Sequence, residues 1–188
     1  MRVGILGGGL QGCCTALALA ERAAKVTLFD KNDSLLSRAA VANEGKIHLG
    51  YMYAGDPTLS TAKTMMAGAL SFAPFLERHL GQPMQSFSVS APASYVVHRN
   101  QAYFGKELRA PLRPWSAAEK DAEFDPALAL DAFYTPEIAI NPPALADALR
   151  ERIAAHPLIE LRCGRKVVGA EGDRDGIRVL SDGQDGPS

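Results

Sequence analysis

Four glycines near the start of the chain have the spacing that most clearly indicates chemistry. They stand at positions 7, 8, 9 and 12 in the stretch VGILGGGLQG, after a short apolar run and before a segment rich in Ala and Leu. In the pattern Gly7-x-Gly9-x-x-Gly12, the first glycine permits a tight turn, the second lets the backbone approach a pyrophosphate, and the third lets helix and strand touch. Because the N-terminus of a helix attracts such an anion, the pattern predicts a dinucleotide site.

An acidic residue supports this prediction. Asp30 ends the second apolar run, KVTLFD, eighteen residues beyond Gly12. A carboxylate at this position accepts hydrogen bonds from ribose hydroxyls and repels a 2′-phosphate, so the sequence favours FAD or NAD over NADP. The alternative is a glycine-rich turn in an ordinary α/β protein. Strand, helix, second strand and acid nevertheless stand in the register that a dinucleotide site requires.

Two cysteines directly follow the last glycine. A thiol in the first turn of a helix can be activated by the helix terminus, whereas a buried free cysteine is a small packing residue. We favour packing for Cys13 and Cys14. Together with Cys163 they form neither a disulfide framework nor the spacing of a metal site. This cysteine usage indicates a reducing compartment, and we expect a cytoplasmic protein without a bound metal.

The composition is typical of a soluble globular protein. The chain has 188 residues with a net charge of −1, and 47% of them are hydrophobic. With this net charge the protein has no overall positive electrostatic field that would attract nucleic acid or anionic lipid. No segment has the length and apolarity of a membrane span. Residues 1–20 resemble a secretory signal because they end in ALALA. The glycines inside that apolar run, however, disfavour the helix that a signal needs.

The glycines lie within a predicted strand–turn–helix–strand unit. The run RVGIL predicts a strand that is buried on both faces, residues 10–23 predict a helix packed on a sheet, and residues 26–29 predict a second strand. A long ordered loop is expected over residues 31–56.

A helix is expected over residues 57–80, because Pro57 suits a helix start and Gly81 a helix end, with a kink or a split at Pro74. The remaining pattern predicts, in order, antiparallel strands over 85–104, a short helix near 116–121, a strand over 131–140 and a helix over 141–156 that Asn141 caps. A strand over 158–164 follows, and residues 166–181 predict a pair of strands joined by a polar turn at residues 173–176.

This layout resembles the D-amino-acid oxidase superfamily of FAD-dependent oxidoreductases, which includes glycine oxidase, glycerol-3-phosphate dehydrogenase and L-2-hydroxyglutarate dehydrogenase. Residues 3–31 resemble the part of the family's FAD domain that holds ADP. The stretch NEGKIHLGYMY is similar to the segment that follows it, and residues 140–171 are similar to the helix and strand that return to that domain. SYVVHRNQAYF resembles strands of the substrate domain. An NAD domain would instead continue with further parallel strands.

The resemblance implies cofactor contacts at the matching positions. Gly7, Gly9, Leu10 and Gly12 would line the pyrophosphate. Asp30 would hold the adenosine ribose with Lys31 beside it, and the backbone of Val167 would meet the adenine. The turn that approaches the pyrophosphate and the flavin ring gives five more candidates: Arg38, Asn43, Glu44, Gly45 and Lys46. This turn departs from the family, because SRAAVANEG replaces a hydroxyl-rich pair; Ser37 and Arg38 would contact phosphate instead, or Arg38 is a solvated loop residue.

The resemblance also implies a reaction. A hydride would leave a carbon that bears an amine or a hydroxyl in a small amino or hydroxy acid, and the flavin would accept it. His48 is the candidate base, and the alternative is a histidine that bonds only to backbone. Arg99 would bind the substrate carboxylate, or it is a solvated side chain.

The expected fold is α/β: a Rossmann-like FAD-binding domain of the glutathione-reductase type with an inserted antiparallel α+β substrate domain, incomplete at the C-terminus. Residues 1–82 and 141–188 would form the FAD domain, and residues 83–140 a portion of the substrate domain. Such a chain would expose apolar surface and could form a homo-oligomer. Two other functions stay open, an NAD-dependent dehydrogenase and a non-catalytic dinucleotide-binding fragment.

Overall fold

Two compact units make up the chain. The computed structural model describes residues 1–53, 57–90, 93–98, 112–172, 174 and 176–182, with the backbone alone at residue 98, so Arg99 lies outside the described residues. The first unit comprises Met1–Asn43 and Pro142–Ser188, and the second comprises Glu44–Asn141.

The first boundary differs from the one expected from sequence. Residues 44–82, which the sequence assigns to the nucleotide domain, belong to the second unit. The cause is local backbone pairing: Ile47 N–H donates to the carbonyl of Ile138, and Ile140 N–H donates to the carbonyl of Gly45, both at 2.9 Å. These bonds hold the start of the 44–82 stretch against the end of its own unit.

The helices and strands of the described residues are, in chain order, β1 (Arg2–Leu6), α1 (Leu10–Glu21), β2 (Lys25–Phe29), α2 (Ser60–Leu80), β3 (Ala93–His98), β4 (Arg113–Pro114), α3 (Ala117–Glu123), β5 (Ala129–Thr135), α4 (Pro142–Ala154), β6 (Ile159–Arg162), β7 (Lys166–Gly172) and β8 (Ile177–Asp182). Short 3₁₀ helices cover Tyr51–Tyr53 and Met84–Phe87.

A parallel sheet in the order β1–β2–β6 is the base of the first unit. Val3 lies opposite Val26, and Val26 lies opposite Ile159. Parallel neighbours need a crossover connection, and α1 supplies it between β1 and β2. The predicted strand, glycine turn, helix and second strand are therefore confirmed, with the helix ending at Glu21 rather than at residue 23.

Small residues let α1 pack closely on the sheet. Cys13, Ala16, Leu17 and Ala20 are buried, and their spacing of three, one and three residues places them on one face of the helix. Burying a leucine side chain such as Leu17 contributes about 1.5–3 kcal/mol. α4 packs with β6 and α1 and buries its own apolar face: Leu145, Ala146, Leu149 and Ile153.

The prediction that β1 is buried on both faces is wrong. Leu6 is 59% exposed, and exposed and half-buried residues alternate along the strand. The described neighbours cover the two faces of β1 unequally: Val3 and Ile5 are half-buried, whereas Arg2, Gly4 and Leu6 on the other face are exposed. An apolar run shows which side chains favour burial, but it does not show which neighbours cover them.

An antiparallel hairpin completes the first unit. β7 pairs with β8 from Lys166 opposite Asp182 to Gly172 opposite Ile177, as the sequence predicts. Part of the connecting turn, at residues 173 and 175, lies outside the described residues.

The second unit has an antiparallel sheet in the order β3–β5–β4. β5 is the centre of this sheet. Its residue Phe133 lies opposite Tyr95 of β3 on one side and opposite Pro114 of β4 on the other. Ser116 caps the short helix α3 in a reciprocal capping box with Glu119. The predicted antiparallel strand is confirmed over Ala93–His98, and the short helix is confirmed as α3. The strand prediction is wrong at its start, because Met84–Phe87 forms a 3₁₀ helix.

α2 is one continuous helix, so the predicted split at Pro74 does not occur. Pro74 removes the N–H that would bond to the carbonyl of Leu70. Both residues are exposed, so water can bond to that carbonyl instead. The helix ends at Gly81, whose φ of 71° is left-handed and favours glycine. Among the described helices, none is both long enough and apolar enough to cross a bilayer.

Candidate functional site

The glycine turn connects β1 to α1 and needs glycine for two separate reasons. Gly7 has a φ of 105°, which a residue with a side chain rarely adopts, and its N–H donates to the carbonyl of Phe29 at 2.8 Å. At Gly12 the reason is space, because a Cβ atom would overlap the carbonyl oxygen of Gly7. The predicted tight turn and the predicted close contact of helix and strand are both present.

Gly8 is a position that the three-glycine pattern does not include. A Cβ atom there would overlap the end of the Leu35 side chain and lie 3.1 Å from Oδ2 of Asp30. The N–H of Gly8 donates to the same Oδ2 at 2.6 Å. A residue without a side chain is therefore required for the turn to approach Asp30.

Gly9 differs from Gly8 and Gly12 because the space beside it is open. A Cβ atom on Gly9 would meet no described atom within 4 Å. Gly9 is also the N-cap of α1, where no side chain among the described residues caps the helix and the first turn holds no acidic residue. The first N–H groups of an α-helix have no partner within the helix, so this terminus presents donors and partial positive charge.

A cavity of about 380 Å³ lies at this helix terminus, within the size range of sites for small ligands. Six residues that the sequence analysis names line it: Gly9, Leu10, Asp30, Ser37, Arg38 and Asn43. Five residues that the sequence did not indicate also line it: Gly8, Asn32, Leu36, Ala39 and Ala40. Gly7 and Gly12 shape the turn behind the cavity, whereas Lys31 and Val167 are not among its lining residues.

Asp30 is buried on the wall of the cavity, and its carboxylate organises the surrounding backbone. Oδ1 accepts two bonds from Asn32, one from the backbone N–H and one from the side-chain amide, each at 2.7 Å. Oδ2 accepts the bond from Gly8. Each carboxylate oxygen can accept two hydrogen bonds, so Oδ2 has a further lone pair for a ligand.

Two polar side chains fix the loop opposite the glycines. Nε of Arg38 donates to Oδ1 of Asn32 at 3.2 Å, and Nδ2 of Asn43 donates to the carbonyl of Ala39 at 2.8 Å. Both residues therefore have contacts within the first unit and also line the cavity.

Arg150 of α4 holds the same loop and was not identified from the sequence. Its Nε donates to the carbonyl of Leu35 at 2.8 Å, and one of its terminal nitrogens donates to the carbonyl of Leu36 at 3.2 Å. Leu36 N–H in turn donates to the carbonyl of Gly8 at 2.8 Å. No local pattern could have indicated this residue, because more than a hundred positions separate it from the loop.

The cysteines of α1 are packing residues. Cys13 is fully buried, and its thiol donates to the carbonyl of Gly8 at 3.4 Å. Burial raises the pKa of Cys13 to about 12 and that of Cys14 to about 11. Both groups therefore stay as thiols near neutral pH, and the helix terminus does not activate them.

The other predicted site residues belong to the second unit. Nε2 of His48 lies 3.4 Å from Oε1 of Glu44, and a quarter of the His48 side chain is exposed. The N–H of Glu44 itself and then the bond with His48 lower the pKa of that carboxyl. Gly45 has a φ of 66°, and Nζ of Lys46 forms an ion pair with the buried Glu137 at 3.2 Å.

Among the described residues, no group of three or more His, Cys, Asp or Glu side chains could hold a metal ion. The donor set of the first unit is instead suited to an anion and a sugar: backbone N–H groups, a carboxylate and small residues around an open space.

The family model DAO, described as FAD dependent oxidoreductase, matches residues 2–187. The chain belongs to this family. Membership favours a flavin over the NAD alternative of the sequence analysis, and FAD is the cofactor of the family.

Two solved structures have a similar fold. Glycine oxidase from Geobacillus kaustophilus has a similar structure, with a TM-score of 0.68, 22% identity and coverage of 96% of this chain and 52% of that one. Dithionite-reduced L-alpha-glycerophosphate oxidase from Mycoplasma pneumoniae with FAD bound superposes with a TM-score of 0.63 at 21% identity, over 100% of this chain and 51% of that one. These two likenesses concern the fold.

A curated relative shares more sequence. The tRNA 5-methylaminomethyl-2-thiouridine biosynthesis bifunctional protein MnmC from Ectopseudomonas mendocina is 33% identical over 165 residues, which are 84% of this chain and 24% of that protein. The chain thus spans about half the length of the solved structures above and about a quarter of this relative.

Proposed function

We propose that the first unit binds the ADP portion of FAD in the cavity at the N-terminus of α1. The open space beside Gly9 carries this proposal, because Gly8 and Gly12 are crowded by protein atoms whereas Gly9 faces the cavity without a described atom within 4 Å. The cavity combines that space with the donors of the helix terminus and with Asp30.

The pyrophosphate would lie against Gly9 and Leu10. Their N–H groups stand in the first turn of α1, where a helix offers unpaired donors and a partial positive charge of about half a unit. Arg38 lines the same cavity and would add a full positive charge. Asp30 would hold the adenosine ribose through the remaining lone pair of Oδ2, and the backbone at Val167 would meet the adenine.

A comparison of two glycine variants tests this site. Gly9→Val places a side chain in the open space without backbone strain, because the φ of Gly9 is −74°. Gly68→Val is the matched control, since Gly68 is exposed in α2 and a Cβ atom there also meets no described atom within 4 Å. We expect Gly9→Val to weaken FAD binding by about tenfold or more, and Gly68→Val to bind like the wild type.

The readout is the change in flavin absorbance and fluorescence on titration with FAD, with the circular dichroism spectrum as the check of folding. Equal FAD affinity in Gly9→Val and the wild type would refute the site, and so would a folded wild-type chain that binds neither FAD nor ADP.

We further propose that the protein oxidises a small amino or hydroxy acid by removing a hydride from the carbon that bears the amine or hydroxyl. Bound flavin supplies the hydride acceptor. The chain's own contribution would come from His48. If Nε2–H donates to Glu44, the lone pair of Nδ1 is left to take a proton from the substrate.

A panel of substrates tests this chemistry. The FAD-loaded protein is mixed with amino and hydroxy acids without oxygen, and loss of flavin absorbance is followed. We expect at least one compound to bleach the flavin, and His48→Asn to slow that step by about 10²-fold with FAD affinity unchanged. His156→Asn is the control, because the His156 side chain accepts a bond from Leu158 N–H within the first unit. An unchanged rate in His48→Asn would exclude the base.

A further inference from the structure

A buried carboxylate in the second unit holds both sides of the segment that carries His48. Glu137 is only 5% exposed and follows β5. Its Oε2 lies 3.2 Å from Nζ of Lys46, and its Oε1 accepts the N–H of Leu49 at 2.6 Å. The two partners of Glu137 therefore stand two residues before His48 and one residue after it.

The backbone around Glu137 adds to this connection. Ile47 N–H donates to the carbonyl of Ile138, and Lys46 forms an antiparallel bridge with Ala139. Residues 45–47 thus pair with residues 138–140 through their backbones. The side chain of Glu137 extends this connection further along the segment, because it binds the N–H of Leu49. Without this side chain, the pairing would end before His48.

The charge of Glu137 matters to this arrangement. A buried carboxylate costs free energy unless it is paired and hydrogen-bonded, and a bond from N–H to a charged oxygen is stronger than one to a neutral oxygen. Burial, and to a smaller degree the charge of Glu137, raises the pKa of Tyr51 to about 12. This phenol therefore stays protonated near neutral pH and places no second negative charge beside Glu137.

We propose that Glu137 is a positioning residue for His48. It fixes the backbone on both sides of the histidine through Lys46 and Leu49, while Glu44 orients the imidazole ring through Nε2. This inference rests on the proposed role of His48 as the base, and it adds the residue that would keep the base in place.

The histidine ring signals in NMR spectra of the 188-residue chain test the inference. Glu137→Gln keeps an acceptor for Leu49 but loses the charge that pairs with Lys46. We expect the His48 ring signals, identified with His48→Asn, to shift or broaden in this variant, while the His156 signals stay in place. Glu119→Gln is the matched control in the same unit, because Glu119 is exposed and pairs with Ser116. It should leave the His48 signals unchanged.

Two further measurements complete the test. In the FAD-loaded protein, Glu137→Gln should lower the rate of flavin reduction about tenfold with FAD affinity unchanged, since a small displacement of a reacting group is costly. The second measurement uses the wild type and so does not depend on the folding of a variant. There the Leu49 amide hydrogen should exchange at least about 100-fold more slowly than in an unstructured chain.

The inference is overturned if the His48 signals of a folded Glu137→Gln protein match the wild type, or if the Leu49 amide exchanges as an unstructured residue does. A His48→Asn protein that reduces flavin at the wild-type rate would instead refute the proposed base. The ring signals would still decide the role of Glu137.

Discussion

The glycines of the turn between β1 and α1 have different physical roles. Gly7 supplies a positive φ, Gly12 gives room for the backbone of the turn, and Gly9 leaves space that the described residues do not fill. The sequence pattern predicts these three roles because each depends on neighbours within a few residues. Gly8 falls outside the pattern because its requirement comes from Leu35 and Asp30, which are far along the chain.

The crowded glycines give a stability prediction. Gly12→Ala places a methyl group against the backbone oxygen of Gly7, which cannot move without distorting the turn. Gly8→Ala meets the flexible end of the Leu35 side chain, which can rotate away. We expect both variants to lower the free energy of unfolding, Gly12→Ala by about 2–3 kcal/mol or more and Gly8→Ala by less. Urea unfolding measures both, and the opposite order would contradict the packing described for the turn.

At the scale of elements, the capping box of α3 predicts a pH dependence. The N–H of Ser116, and then its hydroxyl, lower the pKa of Glu119 below its ordinary value of 4.5. A carboxyl with a lowered pKa in the folded state stabilises the fold above its unfolded pKa, and this contribution is lost as the pH falls through the folded pKa. The charged form of Glu119 should thus stabilise the protein at pH 7 but not in acid.

Glu119→Gln isolates this charge, because glutamine can still accept a bond from Ser116. We expect the variant to be less stable than the wild type in urea at pH 7, with the difference disappearing on acidification. Glu123→Gln removes one negative charge from the same helix without a capping partner and should show a smaller difference. A difference for Glu119→Gln that grows toward low pH would contradict the capping role.

The elements that sequence predicts best are those with local signals. The β1–α1–β2 unit, the β7–β8 hairpin, the presence of α3 and the end of α2 at Gly81 follow from turn residues and periodicity within each segment. The start of α2 does not, because the helix begins at Ser60 rather than at the predicted residue 57. The contacts of Arg150 with Leu35 and of Glu137 with Leu49 join residues about 115 and 88 positions apart. No spacing rule connects such pairs, so these two supporting residues emerge only from the structure.

At the scale of the whole molecule, we propose that β1, an edge strand of the first unit's sheet, favours self-association. Leu6 of β1 is exposed and lines, together with the exposed Ile177, a cavity of about 1420 Å³. Unpaired strand edges with apolar side chains recruit other chains, whereas a lysine on such an edge prevents this pairing. The homo-oligomer expected from sequence is accordingly a proposal that this edge supports.

Light scattering after size-exclusion chromatography tests the role of this edge. We expect the apparent mass of the wild type to rise with protein concentration and that of Leu6→Lys to rise less. Met52→Lys is the control, because Met52 is an exposed apolar residue of the second unit. Equal behaviour of the two variants would show that the edge of β1 does not drive association.

The central claim is that the N-terminus of α1 holds a pyrophosphate, and amide NMR shifts on titration with ADP and with adenosine test it most directly. The account predicts that ADP shifts the amide signals of Gly9 and Leu10 strongly and that adenosine, which has no phosphate, leaves them nearly in place. If both ligands shift these two signals equally, or if ADP shifts only signals outside the lining of the cavity, the claim is contradicted.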